Sequence, residues 1–287
     1  MTIEKVGVVG TGQMGAGIAQ VAAAAGHTVL LADISREVVD SAKAAIGQRL
    51  TSAVNKGKMD RAAADGILNR LLPVQSVADF KMVDLAIEAV AENVELKLKI
   101  FRDLDIAAAP RAILASNTSS ISITLLAAAT KRPEQVIGMH FMNPVPLMKL
   151  VELIRGLQTS DATFATVKSL AEKWGKTTAV AQDYPGFIVN RLLIPFLNEA
   201  CDALLNGVGT VEDIDTAIKL GLNHPMGPLQ LADLIGLDTV LAIARVLHEG
   251  FSDSRYRPSP LLVKYVEAGW LGRKSGRGFY TYESPLS

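Results

Sequence analysis

The N-terminal half of the chain alternates short apolar runs with longer segments whose apolar residues return every three or four positions. That alternation predicts a parallel sheet covered by helices. Val6–Val9, Thr28–Ala32, Leu85–Ala89, Ile113–Ala115, Val136–His140, Met148–Ile154 and Thr177–Ala181 read as strands. Helices are expected over Met14–Ala25, from an N-cap at Ser35 through Asn55, and over Asp60–Arg70, Glu95–Ala108 and Asp161–Trp174. At Asp183-Tyr184-Pro185-Gly186 the pattern changes and strand signals nearly stop. Beyond it, Phe187–Asn206, Val211–Leu220, Leu229–Ile235, Thr239–Glu249 and Pro260–Ala268 all read as helices. An α/β half followed by an all-α half predicts two domains, residues 1–183 and 184–287.

One stretch changes meaning when its composition is read. Residues 6–32 contain no Asp, Glu, Lys or Arg, as a membrane span would. They also hold six glycines, two of them in a Gly-x-Gly turn whose broken backbone would leave polar groups unsatisfied in lipid. A secretory signal fits no better, because no basic segment precedes the run. The stretch reads as a buried βαβ start, and no membrane partner is expected. With 49% hydrophobic and 20% charged residues the chain is an ordinary globular one. Lys+Arg and Asp+Glu both number 29, which leaves no electrostatic footprint for nucleic acid. Cys201 is the sole cysteine and reads as a core residue; with no intrachain disulfide to form, a reducing, cytoplasmic setting is expected.

Gly10-Thr11-Gly12-Gln13-Met14-Gly15 follows a predicted strand and opens a predicted helix. In such a loop the first glycine makes the turn, the second lets backbone approach a pyrophosphate, and the third lets helix and strand pack closely. The phosphates then rest on free N–H groups at the helix N-terminus. Asp33 ends the next strand, where a carboxylate accepts hydrogen bonds from an adenosine ribose and repels a 2′-phosphate. That favours NAD, although NADP stays open because Arg36 lies close by and offers a phosphate contact.

Of four histidines, His27, His224 and His248 have structural readings in a turn, a Pro-Gly loop and a helix end. His140 is different: it ends a strand, where side chains face the cofactor crevice of a parallel sheet. Glu152 lies on the next short strand, so a return of the chain would set a carboxylate against the imidazole and orient a general base. Ser116–Ser120 supplies hydroxyls at the same sheet edge, or N-caps for the next helix. No G-x-S-x-G elbow and no H-E-x-x-H motif occurs, so neither a serine hydrolase nor a metal site is supported.

Taken together, Gly10–Gly15, Ala91-Glu92-Asn93, Ala115–Ser120, His140–Pro146, Lys149–Glu152, Pro185–Arg191, His224–Gly236 and Gly272–Tyr280 resemble the 3-hydroxyacyl-CoA dehydrogenase family from end to end. The resemblance implies an α/β Rossmann-type N-terminal domain with a helical arm, followed by an all-α C-terminal domain. It also implies interconversion of a short-chain (S)-3-hydroxyacyl-CoA and its 3-keto form. His140 matches the family's catalytic base, Glu152 its pairing carboxylate, Ser119 the serine on the substrate oxygen, and Asn190 the asparagine reaching in from the helical domain. Gln13, Met14, Glu92, Lys97 and Asn143 join the glycines and Asp33 as cofactor contacts, with Lys274 near the nicotinamide end. Lys56 matches a CoA-contacting lysine, with Arg49 and Lys58 as rivals. The resemblance further implies a homodimer through the C-terminal helices and an active site in the interdomain cleft. Two alternatives remain: a hydroxyacid or sugar-acid dehydrogenase that does not use CoA, and an idle NAD-binding protein.

Overall fold

The computed structural model describes residues 2–283, and the chain divides into two compact units, Met1–Tyr184 and Pro185–Ser287. In the first unit, β1 (Lys5–Val9), α1 (Gln13–Ala24), β2 (Thr28–Ala32), α2 (Arg36–Asn55), α3 (Arg61–Arg70) and β3 (Leu71–Pro73) follow in order. After them come β4 (Leu85–Glu88), α4 (Val94–Ala107), β5 (Ile113–Ser116), α5 (Ile123–Ala128), β6 (Val136–Phe141), β7 (Leu150–Arg155), α6 (Asp161–Lys173) and β8 (Thr177–Gln182). The eight strands form one sheet in the order β3-β2-β1-β4-β5-β6-β7-β8. Its central strands are mostly apolar because both faces are covered, with Glu88, Ser116 and His140 the polar residues near their C-terminal ends; every residue of β4, β5 and β6 is buried.

Two features depart from the expected parallel sheet. Strand β7 runs antiparallel to β6, and β8 then pairs parallel to β7. The connection 142–149 is too short for a parallel crossover, which needs a dozen or more residues, so the chain turns straight back. Strand β3 was not expected at all. It is three residues long, follows α3 without a turn residue and ends in Pro73 at the sheet edge, so neither periodicity nor punctuation marks it.

Ser35 does cap α2, accepting a bond from Val38 N–H. Arm helices α2 and α3 present Val39, Ile46, Leu50, Ala64 and Ile67 to the core that also holds Val29, Leu31 and Leu71. The second unit is helical: α7 (Val189–Leu205), α8 (Val211–Gly221), α9 (Pro228–Ile235), α10 (Leu237–Phe251) and α11 (Pro260–Glu267). Its separate core contains Ile194, Leu197, Cys201, Leu229, Leu237, Leu241 and Leu247. Cys201 is fully buried there. No helix among the described residues is long and apolar enough to cross a membrane.

Candidate active site

The glycine loop joins β1 to α1. Gly10 has φ +87°, and a Cβ there would meet the Ala89 backbone, so only glycine makes this turn. A Cβ on Gly15 would collide with the Gly10 carbonyl oxygen, which fixes how closely α1 packs on β1. Gly12, in contrast, has nothing within 4 Å of a built Cβ, leaving room against the helix N-terminus for a phosphate. Gln13 and Met14 form the first turn of α1. A cavity of about 870 Å³ opens beside this loop, lined in part by Gly10, Gly12, Asp33, Val38, Ala91 and Ile100. The arrangement fits a dinucleotide.

Asp33 braces this loop. Its Oδ2 accepts bonds from the Thr11 N–H and from the Thr11 hydroxyl at 2.8 Å, and its Oδ1 accepts from Ile34 N–H at 2.7 Å. Arg36 lies beside it but donates Nε to Asp40 at 2.9 and 3.0 Å, one helical turn on. Its charge is therefore directed along α2.

A charge cluster, buried at Glu88 and Lys97 and exposed at Glu92, lies at the ends of β4 and β5. Lys97 is 1% exposed and donates to Glu88 Oε1 at 2.6 Å, with Glu92 Oε2 at 3.3 Å. Glu92 Oε1 accepts from Thr118 Oγ1 (2.6 Å), Ser119 N–H (2.9 Å), Ser120 N–H (3.0 Å), Ser120 Oγ (2.8 Å) and Ser119 Oγ (3.2 Å). Burial alone would raise the Glu92 pKa; the Lys97 ammonium and the loop donors outweigh it and lower the value. The serines thus organise around a carboxylate rather than capping α5, whose N-cap is Ser122.

His140 sits near the end of β6, and Glu152 stands directly opposite on β7. The antiparallel register brings His140 Nδ1 to 2.7 Å from Glu152 Oε2, with Glu152 fully buried. Asn117 Oδ1 accepts from Phe141 N–H at 3.0 Å, tying the serine loop's strand end to the residue after His140. Asn143 lies exposed in the β6–β7 connection. That connection is held by Lys176, whose buried ammonium donates to the carbonyls of Val145 and Met148. Burial lowers the Lys176 pKa.

The remaining candidates are on the arm helices and in the helical unit. Lys56 follows α2 and lines an open groove of about 580 Å³ with Gly47, Gln48, Thr51 and Asn55. Arg49 points its Nε at Gln20 on α1, 3.3 Å away, and Lys58 is exposed in the following turn. Asn190 is buried in the first turn of α7. Lys274 Nζ pairs with Asp238 in the helical unit. Sequence reasoning missed Glu88, yet a signal existed: a carboxylate closing an otherwise apolar strand of a two-sided sheet must be paired to be tolerated.

Residues 5–184 match the family described as 3-hydroxyacyl-CoA dehydrogenase, NAD binding domain, and residues 186–282 match its C-terminal domain. The chain is 58% identical over 280 residues to a 3-hydroxybutyryl-CoA dehydrogenase of Bradyrhizobium diazoefficiens, covering 98% of this chain and 96% of that one. It is 49% identical to a 3-hydroxybutyryl-CoA dehydrogenase of Clostridioides difficile, over 97% of this chain and 99% of that one. The crystal structure of (S)-3-hydroxybutyryl-CoA dehydrogenase from Ralstonia eutropha superposes with a TM-score of 0.96 at 49% identity, covering 99% and 100% of the two chains. With both domains matched and relatives up to 58% identical over nearly the whole chain, the chain belongs to the NAD-dependent 3-hydroxyacyl-CoA dehydrogenase family.

Proposed function

We propose that the protein interconverts a short-chain (S)-3-hydroxyacyl-CoA and its 3-keto form, with acetoacetyl-CoA as the reducible partner. The observation that carries this reading is the buried His140–Glu152 contact at 2.7 Å, at a sheet edge tied to the serine loop. Donating Nδ1–H to Glu152 fixes the tautomer and leaves Nε2 to take the 3-hydroxyl proton in oxidation and return it in reduction. Glu152 stabilises the imidazolium formed on the way. Ser119 holds the substrate oxygen, and the resemblance gives Asn190 the thioester side, so much of the catalysis is positioning. The bound NAD supplies the hydride acceptor or donor at C3. The glycine loop, Asp33, Glu92, Lys97 and Asn143 would hold and align it, with Lys274 assigned to its nicotinamide end.

The pairing of Arg36 with Asp40 supports NAD over NADP, because the nearest guanidinium is engaged away from a 2′-phosphate. The groove beside Lys56 supports that lysine over Arg49 as the CoA contact. Exposed Leu192 and Leu205 on α7, with Leu220 and Leu222 at the end of α8, support a homodimer through the helical unit. The buried Cys201 thiol and the absence of an intrachain disulfide support a cytoplasmic setting.

The test follows NADH absorbance with acetoacetyl-CoA and then with free acetoacetate. Turnover with the thioester alone is the expected result. Equal turnover of the free acid would move the assignment to a dehydrogenase that does not use CoA, and NADH binding without turnover to an idle scaffold.

A further inference from the structure

Glu88 closes β4 and is 0% exposed. It faces Ser116 across the parallel β4–β5 ladder. Its carboxylate accepts from Lys97 Nζ and Ser116 Oγ at 2.6 Å each and from Val90 N–H at 2.7 Å. No role in the chemistry described above falls to it. The same ammonium also stands 3.3 Å from Glu92 Oε2, so one cation lies between two carboxylates and closer to Glu88. Glu92, in turn, is the acceptor around which Thr118, Ser119 and Ser120 are arranged.

These contacts compete. A buried ammonium is strongly attracted to any carboxylate in reach, since little water screens it. If Glu88 lost its charge, Lys97 would have Glu92 as its only anionic partner among these contacts and would draw that carboxylate toward α4. The loop donors would then lose the acceptor that fixes them. We propose that Glu88 is a positioning residue for the substrate loop: by engaging Lys97 it keeps Glu92 available to Thr118–Ser120, and so sets where Ser119 presents its hydroxyl. This rests on the proposed reading in which Ser119 holds the substrate oxygen.

Two substitutions and their combination test it. Calorimetric binding of acetoacetyl-CoA, kcat/KM and the melting temperature are measured for wild type, Glu88→Gln, Lys97→Met and the double variant. Expected is a weakening of acetoacetyl-CoA binding by at least about fivefold in Glu88→Gln, while the same substitution in the Lys97→Met background changes it less than about twofold. Glu88 acting only through its neutral bonds to Val90 and Ser116 would give the same loss in both backgrounds, and that result overturns the proposal. So does unchanged binding in Glu88→Gln. If Glu88→Gln does not fold, the double variant decides. Recovery of a folded protein once Lys97 is also neutral supports charge balance, and continued misfolding overturns it. A wild-type enzyme that neither binds nor reduces acetoacetyl-CoA overturns the substrate assignment itself, which the Glu88 variants do not affect, and the inference with it.

Discussion

His140 Nδ1 lies 2.7 Å from Glu152 Oε2, and the two residues occupy facing positions of one antiparallel ladder. Backbone pairing therefore sets their separation, and the rigidity of a central sheet is transferred to the imidazole. In the proposed role of general base, an imidazole held this way would lose little to reorientation during proton transfer.

His140→Ala is expected to lower kcat by on the order of 10²–10⁴, the usual worth of a positioned acid–base group. Glu152→Gln keeps the shape and removes the charge, so it should be slower than wild type but faster than His140→Ala. If the two act as one unit, the double variant will be scarcely slower than His140→Ala. Steady-state kcat for the three variants, with NADH affinity measured alongside, checks this; multiplicative losses would mean the residues act independently.

Gly12→Ala separates cofactor binding from folding. The added methyl meets no protein atom within 4 Å, and φ −61° suits alanine. The melting temperature should stay within about 2 °C of wild type. NADH binding, read by fluorescence titration, should weaken at least about tenfold, because the methyl occupies space the pyrophosphate needs. Unchanged NADH affinity would place the phosphates elsewhere.

Asp33 accepts from Thr11, and the proposed reading also gives it the exclusion of a 2′-phosphate. Asp33→Ser should therefore raise the NADPH-to-NADH ratio of kcat/KM while also raising KM for NADH. A tenfold change in the ratio corresponds to about 1.4 kcal/mol. Adding Asp40→Ala releases Arg36 and should increase NADPH use further. A wild type that already prefers NADPH would contradict this account of cofactor choice.

The Glu92 carboxyl titrates below its ordinary 4.5 in the folded protein, because Lys97 and the loop donors outweigh the burial that opposes them. A depressed native pKa contributes stability above the unfolded value, and that contribution is lost as pH falls through the folded value. The melting-temperature difference between wild type and Glu92→Gln should be largest near neutrality and shrink on acidification to about pH 3. A difference constant across that range would show that Glu92 acts without its charge.

Much of this protein was legible without coordinates. Apolar runs and helical periodicity located the α/β and helical halves, since burial on two sheet faces or one helix face leaves a direct imprint on residue order. Gly10, Gly12, Gly15 and Asp33 were readable because the turn needs a positive φ at Gly10, helix packing leaves no room for a Cβ at Gly15, a phosphate would need the open space at Gly12, and the acidic residue follows at a fixed distance. His140 and Glu152 were identifiable as candidates, but their contact depended on strand direction, which periodicity does not encode; the short 142–149 connection decided it. Tertiary structure alone brought Glu88, Lys97, Glu92 and Ser116–Ser120 into one network, drawing on β4, α4 and the end of β5. It alone paired Arg36 with Asp40 and set Lys176 against the Val145 and Met148 carbonyls. The physical reason is range: local conformation and burial are written in neighbouring residues, whereas the partner of a charge is chosen by whichever strand end or loop folding brings within a few ångströms of it.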